Sequence, residues 1–251
     1  MFSLAQDSIT IHQKNIVYIS IADFKEKGLT LTKQDSLQFM FRNNDTLVKM
    51  PDDYFDNQED MVKVRYEYKD LLFLEKYQEV VFPQDKSTLR IWKNDLKLFF
   101  DPSVPEKQRE ALRDFAFGLS TSVDSLNIVE VNTIEDSNYH IYFTNEVNST
   151  EYEPLLANQI SGYYIYWNKR QQINKGYLKV DSRKHKTSEY QIANLKYNFF
   201  RSLGYFSGSD DFECNSYLSN CRTIRSLDDQ DLEILKYHYS YGVCKLTYNL
   251  S

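Results

Sequence analysis

The apolar rhythm of this chain changes across Pro83-Gln84-Asp85-Lys86-Ser87, and that change limits the folds open to it. Before this segment, apolar and polar residues alternate in Ser8-Ile9-Thr10-Ile11, Leu29-Thr30-Leu31, Leu37-Gln38-Phe39-Met40-Phe41 and Met61-Val62-Lys63-Val64-Arg65-Tyr66-Glu67-Tyr68. That is the period-two spacing of half-buried strands. After it, Leu112, Phe115, Ala116, Leu119 and Val123 recur at helical spacing behind Pro105, a residue suited to a helix start. A polar segment carrying a proline between two such patterns reads as a boundary. Residues 1–85 are therefore expected to form a small β-rich N-terminal region, and residues 86–251 an α+β domain.

Within the second part, strands are expected at Leu89-Arg90-Ile91-Trp92, Leu96-Lys97-Leu98-Phe99-Phe100, Asn127-Ile128-Val129-Glu130-Val131, Tyr139-His140-Ile141-Tyr142-Phe143, Tyr163-Tyr164-Ile165-Tyr166-Trp167 and Gly176-Tyr177-Leu178-Lys179-Val180. Ser188 with Gln191 forms the pattern of a capping box for a helix that runs to about Leu203 and stops at Gly204. A last helix is expected to begin in Ser226-Leu227-Asp228-Asp229-Gln230-Asp231 and continue through Tyr239. The acidic, glycine-free stretch 51–60 reads as a loop between two groups of strands.

The chain has 251 residues, enough to bury a sizeable core. Its twenty tyrosines and sixteen phenylalanines are spread along it, which suits half-buried sheet faces. A net charge of -6 provides no global basic field, so a nucleic-acid partner is not expected. The basic run Arg183-Lys184-His185-Lys186 reads as a solvated turn before a helix. No run approaches the roughly 18 apolar residues of a membrane span. The opening Met1-Phe2-Ser3-Leu4-Ala5-Gln6-Asp7 looks like the tail of a secretory signal peptide, which would make the protein secreted, periplasmic or cell-surface; an ordinary cytoplasmic start is the alternative. Cys214 and Cys221, in a polar loop, are compatible with a local disulfide in an oxidising compartment, leaving Cys244 odd. A zinc site made of these three thiols lacks the usual spacing.

The segment Tyr197-Asn198-Phe199-Phe200-Arg201-Ser202-Leu203-Gly204-Tyr205-Phe206-Ser207 has the layout of the zinc-protease helix H-E-x-x-H-x-x-G-x-x-H. Aligned on Gly204, Tyr197 and Arg201 stand at two ligand histidines, Asn198 at the general-base glutamate and Ser207 at the third ligand. Arg201-Ser202-Leu203-Gly204 matches an H-x-L-G helix ending. Asn215-Ser216-Tyr217-Leu218-Ser219 is similar to the N-S-x-M-S segment of a methionine turn, with Leu218 where methionine belongs. Leu227-Asp228-Asp229-Gln230-Asp231-Leu232-Glu233-Ile234-Leu235-Lys236-Tyr237 is similar to the L-S-x-x-D-x-x-x-L-x-x-L-Y helix beyond that turn. From about residue 89 to residue 243 the chain thus resembles the metzincin-like zincins, and most of all a group of bacterial members. The resemblance implies a zincin-like mixed sheet built from a strand, a long helix, two strands, an edge strand and an active-site-type helix.

The same resemblance implies a lost catalytic centre. A phenol with a pKa of about 10 is a poor zinc ligand, and a guanidinium has no lone pair to give and sets a positive charge where the cation belongs. The amide of Asn198 cannot take a proton near neutral pH. His12, His140, His185 and His238 are isolated in sequence and are expected to be surface or half-buried residues rather than ligands. Asp210, Asp211, Asp228, Asp229 and Asp231 have the chemistry of an oxygen-ligand cation site, but solvated loop and helix-start charges explain them more simply. Neither a G-x-S-x-G motif nor a cysteine with a histidine partner is present. Arg201 is expected to pair with Asp210 or Asp211 and crosslink helix and loop where zinc would have done so.

The expected function is therefore a catalytically inactive, metalloprotease-like protein without a cofactor. It would bind a peptide, protein or glycan along the edge strand that carries Tyr163, Tyr164, Tyr166 and Trp167. Two alternatives stand beside it. One is a hydrolase with a shifted metal site of Asp210, Asp211 and His185 or His238; the other is a structural domain of a secreted or envelope assembly.

Overall fold

The computed structural model describes residues 8–10, 18–36, 39–42, 45–49, 63–65, 69–83, 88–221 and 223–240. Residues 1–7, 51–60 and 84–87, His12 and Cys244, on which expectations were placed, lie outside the described residues. The chain forms two compact units, Met1–Glu67 and Tyr68–Ser251.

In the first unit the elements run β1 (Ser8–Thr10), β2 (Tyr18–Ser20), α1 (Ile21–Glu26), α2 (Lys33–Ser36), β3 (Met40–Arg42), β4 (Asp45–Lys49) and β5 (Lys63–Arg65). β1 pairs antiparallel with β5, while β2, β4 and β3 form a three-stranded antiparallel sheet. Phe24 of α1 and Val48 of β4 form its buried centre, with Ile19, Leu29, Leu31 and Phe39 packed against them. The Leu29-Thr30-Leu31 alternation is not a strand. Both leucines reach the Phe24 cluster from irregular backbone beyond α1, which is capped by the Ser20 hydroxyl accepting the Asp23 N–H at 3.1 Å.

The second unit begins earlier than Pro83 because of a helix that strand-period reading passes over. α3 (Leu71–Val81) starts where the Asp70 carboxylate accepts the Phe73 N–H at 2.8 Å. Its Tyr77, Val80 and Val81 are buried in the main core, so the helix belongs to the second unit. Next come β6 (Ile91–Trp92), β7 (Leu96–Phe100), α4 (Glu106–Ser122), β8 (Ile128–Glu130), β9 (Tyr139–Thr144), β10 (Ser161–Trp167), β11 (Gln172–Asp181), α5 (Ser188–Ser202) and α6 (Asp229–His238).

These strands form one mixed, mostly parallel sheet in the order β10-β11-β9-β7-β8, with the short β6 pairing parallel to β11 off that path. β11, β9, β7 and β8 run parallel to their neighbours, and β10 lies antiparallel on the edge. α4 and α5 pack against each other and over one sheet face: Phe115 and Tyr139 both meet the Phe199 ring edge-on, at 6.4 and 5.5 Å. The segment 145–160 covers part of the opposite face. There the fully buried Lys179 ammonium is held by the Glu151 carboxylate and by the carbonyls of Leu156 and Ala157 at 3.0 and 3.1 Å. A buried ammonium without such partners would be strongly unfavourable.

Candidate functional site

α5 carries the residues of interest, and its start differs from the expected capping box. The N-cap is Thr187, whose hydroxyl accepts the Tyr190 N–H at 3.3 Å, and Ser188 is already helical. Gln191 turns away from the cap: its amide donates to the His185 carbonyl at 2.6 Å and accepts from Gln108 at 2.6 Å, fastening α5 to α4.

At the other end, Leu203 is the C-cap and Gly204 is the next residue. The left-handed residue is not the glycine but Tyr205, at φ 55°. Gly204 is required for space, since a Cβ there would lie 2.4 Å from the ring of the buried Phe206. Beyond it the Ser207 N–H donates to the Val80 carbonyl of α3 at 2.8 Å, which turns the chain back along the core.

On α5 the Arg201 guanidinium donates through Nη1 to the Tyr197 phenol oxygen one turn earlier, and through Nε to the Phe206 carbonyl at 2.8 Å. It pairs with no carboxylate among the described residues. The expected ion pair with Asp210 or Asp211 is therefore not formed. The Phe206 carbonyl in the turn after α5 and the Tyr197 phenol take two of its nitrogens, while both aspartates stay exposed.

Asn198 is buried; its amide donates to the Ser161 hydroxyl at 3.1 Å and the Asn194 carbonyl at 2.9 Å, linking α5 to the start of β10. A second arginine, Arg225, stands 4.4 Å from the centre of the Tyr197 ring. Its position was not legible in sequence, because only the chain's path after Cys221 brings it back to α5.

The four edge-strand aromatics do not form one surface. Strand alternation sends Tyr163 and Trp167 towards α5, where their rings meet Tyr205 at 6.5 and 5.6 Å. Burial pushes the Tyr163 phenol up to about 12, with the Arg201 charge acting against the shift. Tyr164 and Tyr166 lie on the opposite face, 5.0 Å apart, and the Tyr166 hydroxyl donates to the buried Glu153 at 2.7 Å. The register shift between Tyr166 and Trp167 marks the end of regular alternation.

The turn after α5 is fastened from below. Leu218 is fully buried, and its N–H reaches the Ser216 hydroxyl at 2.9 Å and Asp231 at 3.2 Å. Cys214 and Cys221 form a disulfide across this turn, with Cα atoms 5.1 Å apart.

The residues do not fit a zinc ion. Tyr197 and Arg201 are bonded to each other, and the Arg201 guanidinium places a fixed positive charge there. The aspartates do not gather either. Asp231 is buried against backbone N–H groups and Asp228 caps α6, where Asp228 and Asp231 form a reciprocal capping box. His238 is also committed: Tyr77 OH lies 3.0 Å from its Nδ1 and the Arg90 carbonyl 2.9 Å from its Nε2. His140 and His238, expected at the surface or half-buried, are both buried. Among the described residues no three His, Cys, Asp or Glu side chains stand together as a metal site. No helix among them is long and apolar enough to cross a membrane. No protein-family model matches the chain, and no curated protein does.

Proposed function

We propose that this chain is an exported, zincin-like domain without a catalytic centre, which works by binding an extended peptide or protein segment along β10. The observation that carries this reading is the bond from the Arg201 guanidinium to the Tyr197 phenol. Side chains at two positions where the resemblance requires metal-binding imidazoles are joined to each other, and neither has the chemistry of a zinc ligand at neutral pH.

Three further features support it. The order β7, α4, β8, β9 and β10, with β10 antiparallel on the sheet edge, follows the element order of the resemblance, with the additional strand β11 standing between β10 and α5. An edge strand offers a row of backbone donors and acceptors to an added strand. The Cys214–Cys221 disulfide agrees with an oxidising compartment.

Hydrogen exchange on the purified chain, with and without a bound peptide selected from a random library, tests the reading. The amides of residues 161–167 should gain protection on binding. A bound peptide that leaves those amides unprotected would overturn it, as would stoichiometric zinc with peptidase activity lost on chelation.

A further inference from the structure

The partly buried and carboxylate-paired arginines among the described residues of the second unit fall into two groups. Arg109 and Arg113 lie within ion-pair reach of Glu130, and Arg183 pairs with Asp181 at 2.8 Å. Three half-buried arginines beside β10 and α5 have no carboxylate within reach among the described residues: Arg90, Arg201 and Arg225. All three lean on aromatic rings instead. The Arg90 guanidinium stands 4.1 Å from the Trp167 ring centre and 4.8 Å from that of Tyr205. Arg201 and Arg225 share the Tyr197 ring, at 5.4 and 4.4 Å.

Their donors are only partly used. Arg201 gives Nε and Nη1 to Phe206 and Tyr197, which leaves Nη2 without a hydrogen-bond partner among the described residues. Arg225 gives Nη2 to the Cys221 carbonyl, while its Nε, like that of Arg90, is buried and without a partner among the described residues. Two guanidinium groups on one phenol repel each other, and partial burial strengthens that repulsion. Cation–π contact offsets some of it, but it does not satisfy buried N–H groups. In a chain of net charge -6, a cationic cluster without counter-charge is set apart from the rest of the molecule. An oxyanion would offset that repulsion, because a guanidinium donates well to a carboxylate or phosphate.

We propose that Arg201 and Arg225 on Tyr197, with Arg90 on Trp167 and Tyr205, bind the side-chain carboxylates of an acidic peptide. This deepens the reading of β10 as a peptide-binding edge and rests on it. The Tyr163 and Trp167 rings, projecting from β10 towards Tyr205, join the strand to the arginines. A segment added along β10 would thus run beside them.

Fluorescence anisotropy with a labelled deca-glutamate peptide and its deca-glutamine counterpart, on the full chain at low and raised salt, tests the proposal. The glutamate peptide should bind at least about tenfold tighter, and salt should erode the difference. Arg225→Gln should lower glutamate-peptide affinity by about tenfold to a hundredfold and leave the glutamine peptide unchanged. Arg225→Lys, which keeps the charge and loses the guanidinium, should fall between, and Arg113→Gln should change neither. Thermal melts of each variant establish that it is folded.

Equal affinity for the two peptides, or a preference that survives Arg225→Gln, overturns the proposal and leaves the β10 reading standing. Phosphate that raises the melting temperature through Arg225 while neither peptide binds identifies a free anion as the ligand, which overturns it too. Failure of phosphate and of both peptides overturns it as well; the β10 reading is then judged separately by the library-peptide exchange experiment.

Discussion

Asp231, in the first turn of α6, accepts the backbone N–H of Tyr217 at 2.9 Å, although the two belong to different segments of the chain. The same carboxylate takes the Ser216 hydroxyl at 2.5 Å and the Leu218 N–H at 3.2 Å. One side chain therefore holds the whole turn beneath Tyr197, whose ring lies 6.1 Å from that of Tyr217.

Replacing it should be severe. Asp231→Ala leaves the buried Tyr217 N–H and the Ser216 hydroxyl without their acceptor and should destabilise the domain by about 3 kcal/mol. Urea unfolding of the variant is the measurement, and a loss below about 1 kcal/mol would show that the turn is held by other means.

Acid should act on His238. Burial lowers this imidazole from its ordinary 6.5 to about 4, so the folded state takes up a proton less readily than the unfolded chain. Its contribution is present above pH 6.5 and is lost as pH falls through about 4, on the order of 3 kcal/mol in all. Asp231 acts in the opposite sense: burial raises its carboxyl to about 6, so its term favours the fold below pH 3.8 and is lost as pH rises through 6. His238→Gln should be less stable than the parent at pH 7 yet lose less between pH 7 and pH 4. Parallel stability curves for the two proteins would contradict this assignment.

Reduction should loosen the loop. The Cys214–Cys221 bridge closes a short loop, and removing it should lower stability by about 2 kcal/mol. Cys214→Ser with Cys221→Ser, assayed by hydrogen exchange, should show faster exchange at residues 214–221 and at Ser226, whose N–H donates to the Asn215 carbonyl at 2.8 Å. Unchanged exchange there would mean that Asp231 alone orders the turn.

Gly204→Ala should cost about 2 kcal/mol through overpacking on the Phe206 ring. Combining it with Phe206→Leu should recover part of that loss relative to the sum of the single changes. Strict additivity would place the strain elsewhere.

The second unit was largely legible because its signals are local. Helical spacing around Leu112 and Leu119 placed α4, Pro105 stands at its N-cap, and the expected strands all appear with ends moved by a few residues. Misreadings came where one pattern serves two structures. Leu29 and Leu31 alternate as in a strand, but both merely face Phe24 from irregular backbone. Tyr77, Val80 and Val81 sit in a segment read as strands and turns, though their spacing is helical and Asp70 is an N-cap.

The residue types at Tyr197, Asn198, Arg201 and Ser207 are a property of sequence alone, and their chemistry already argues against a zinc centre built at those positions. Which groups they meet is not. Charge alone favours a carboxylate for Arg201, yet its Nε goes to the Phe206 carbonyl and its Nη1 to the Tyr197 phenol. Arg90 and Arg225 reach the aromatic rings beside α5 from distant parts of the chain, and strand alternation splits Tyr163 and Trp167 from Tyr164 and Tyr166. Local sequence determines periodicity, caps and side-chain chemistry because these depend on neighbours within a turn or two. Which side chains share a site depends on long-range packing, and only the tertiary structure decided that.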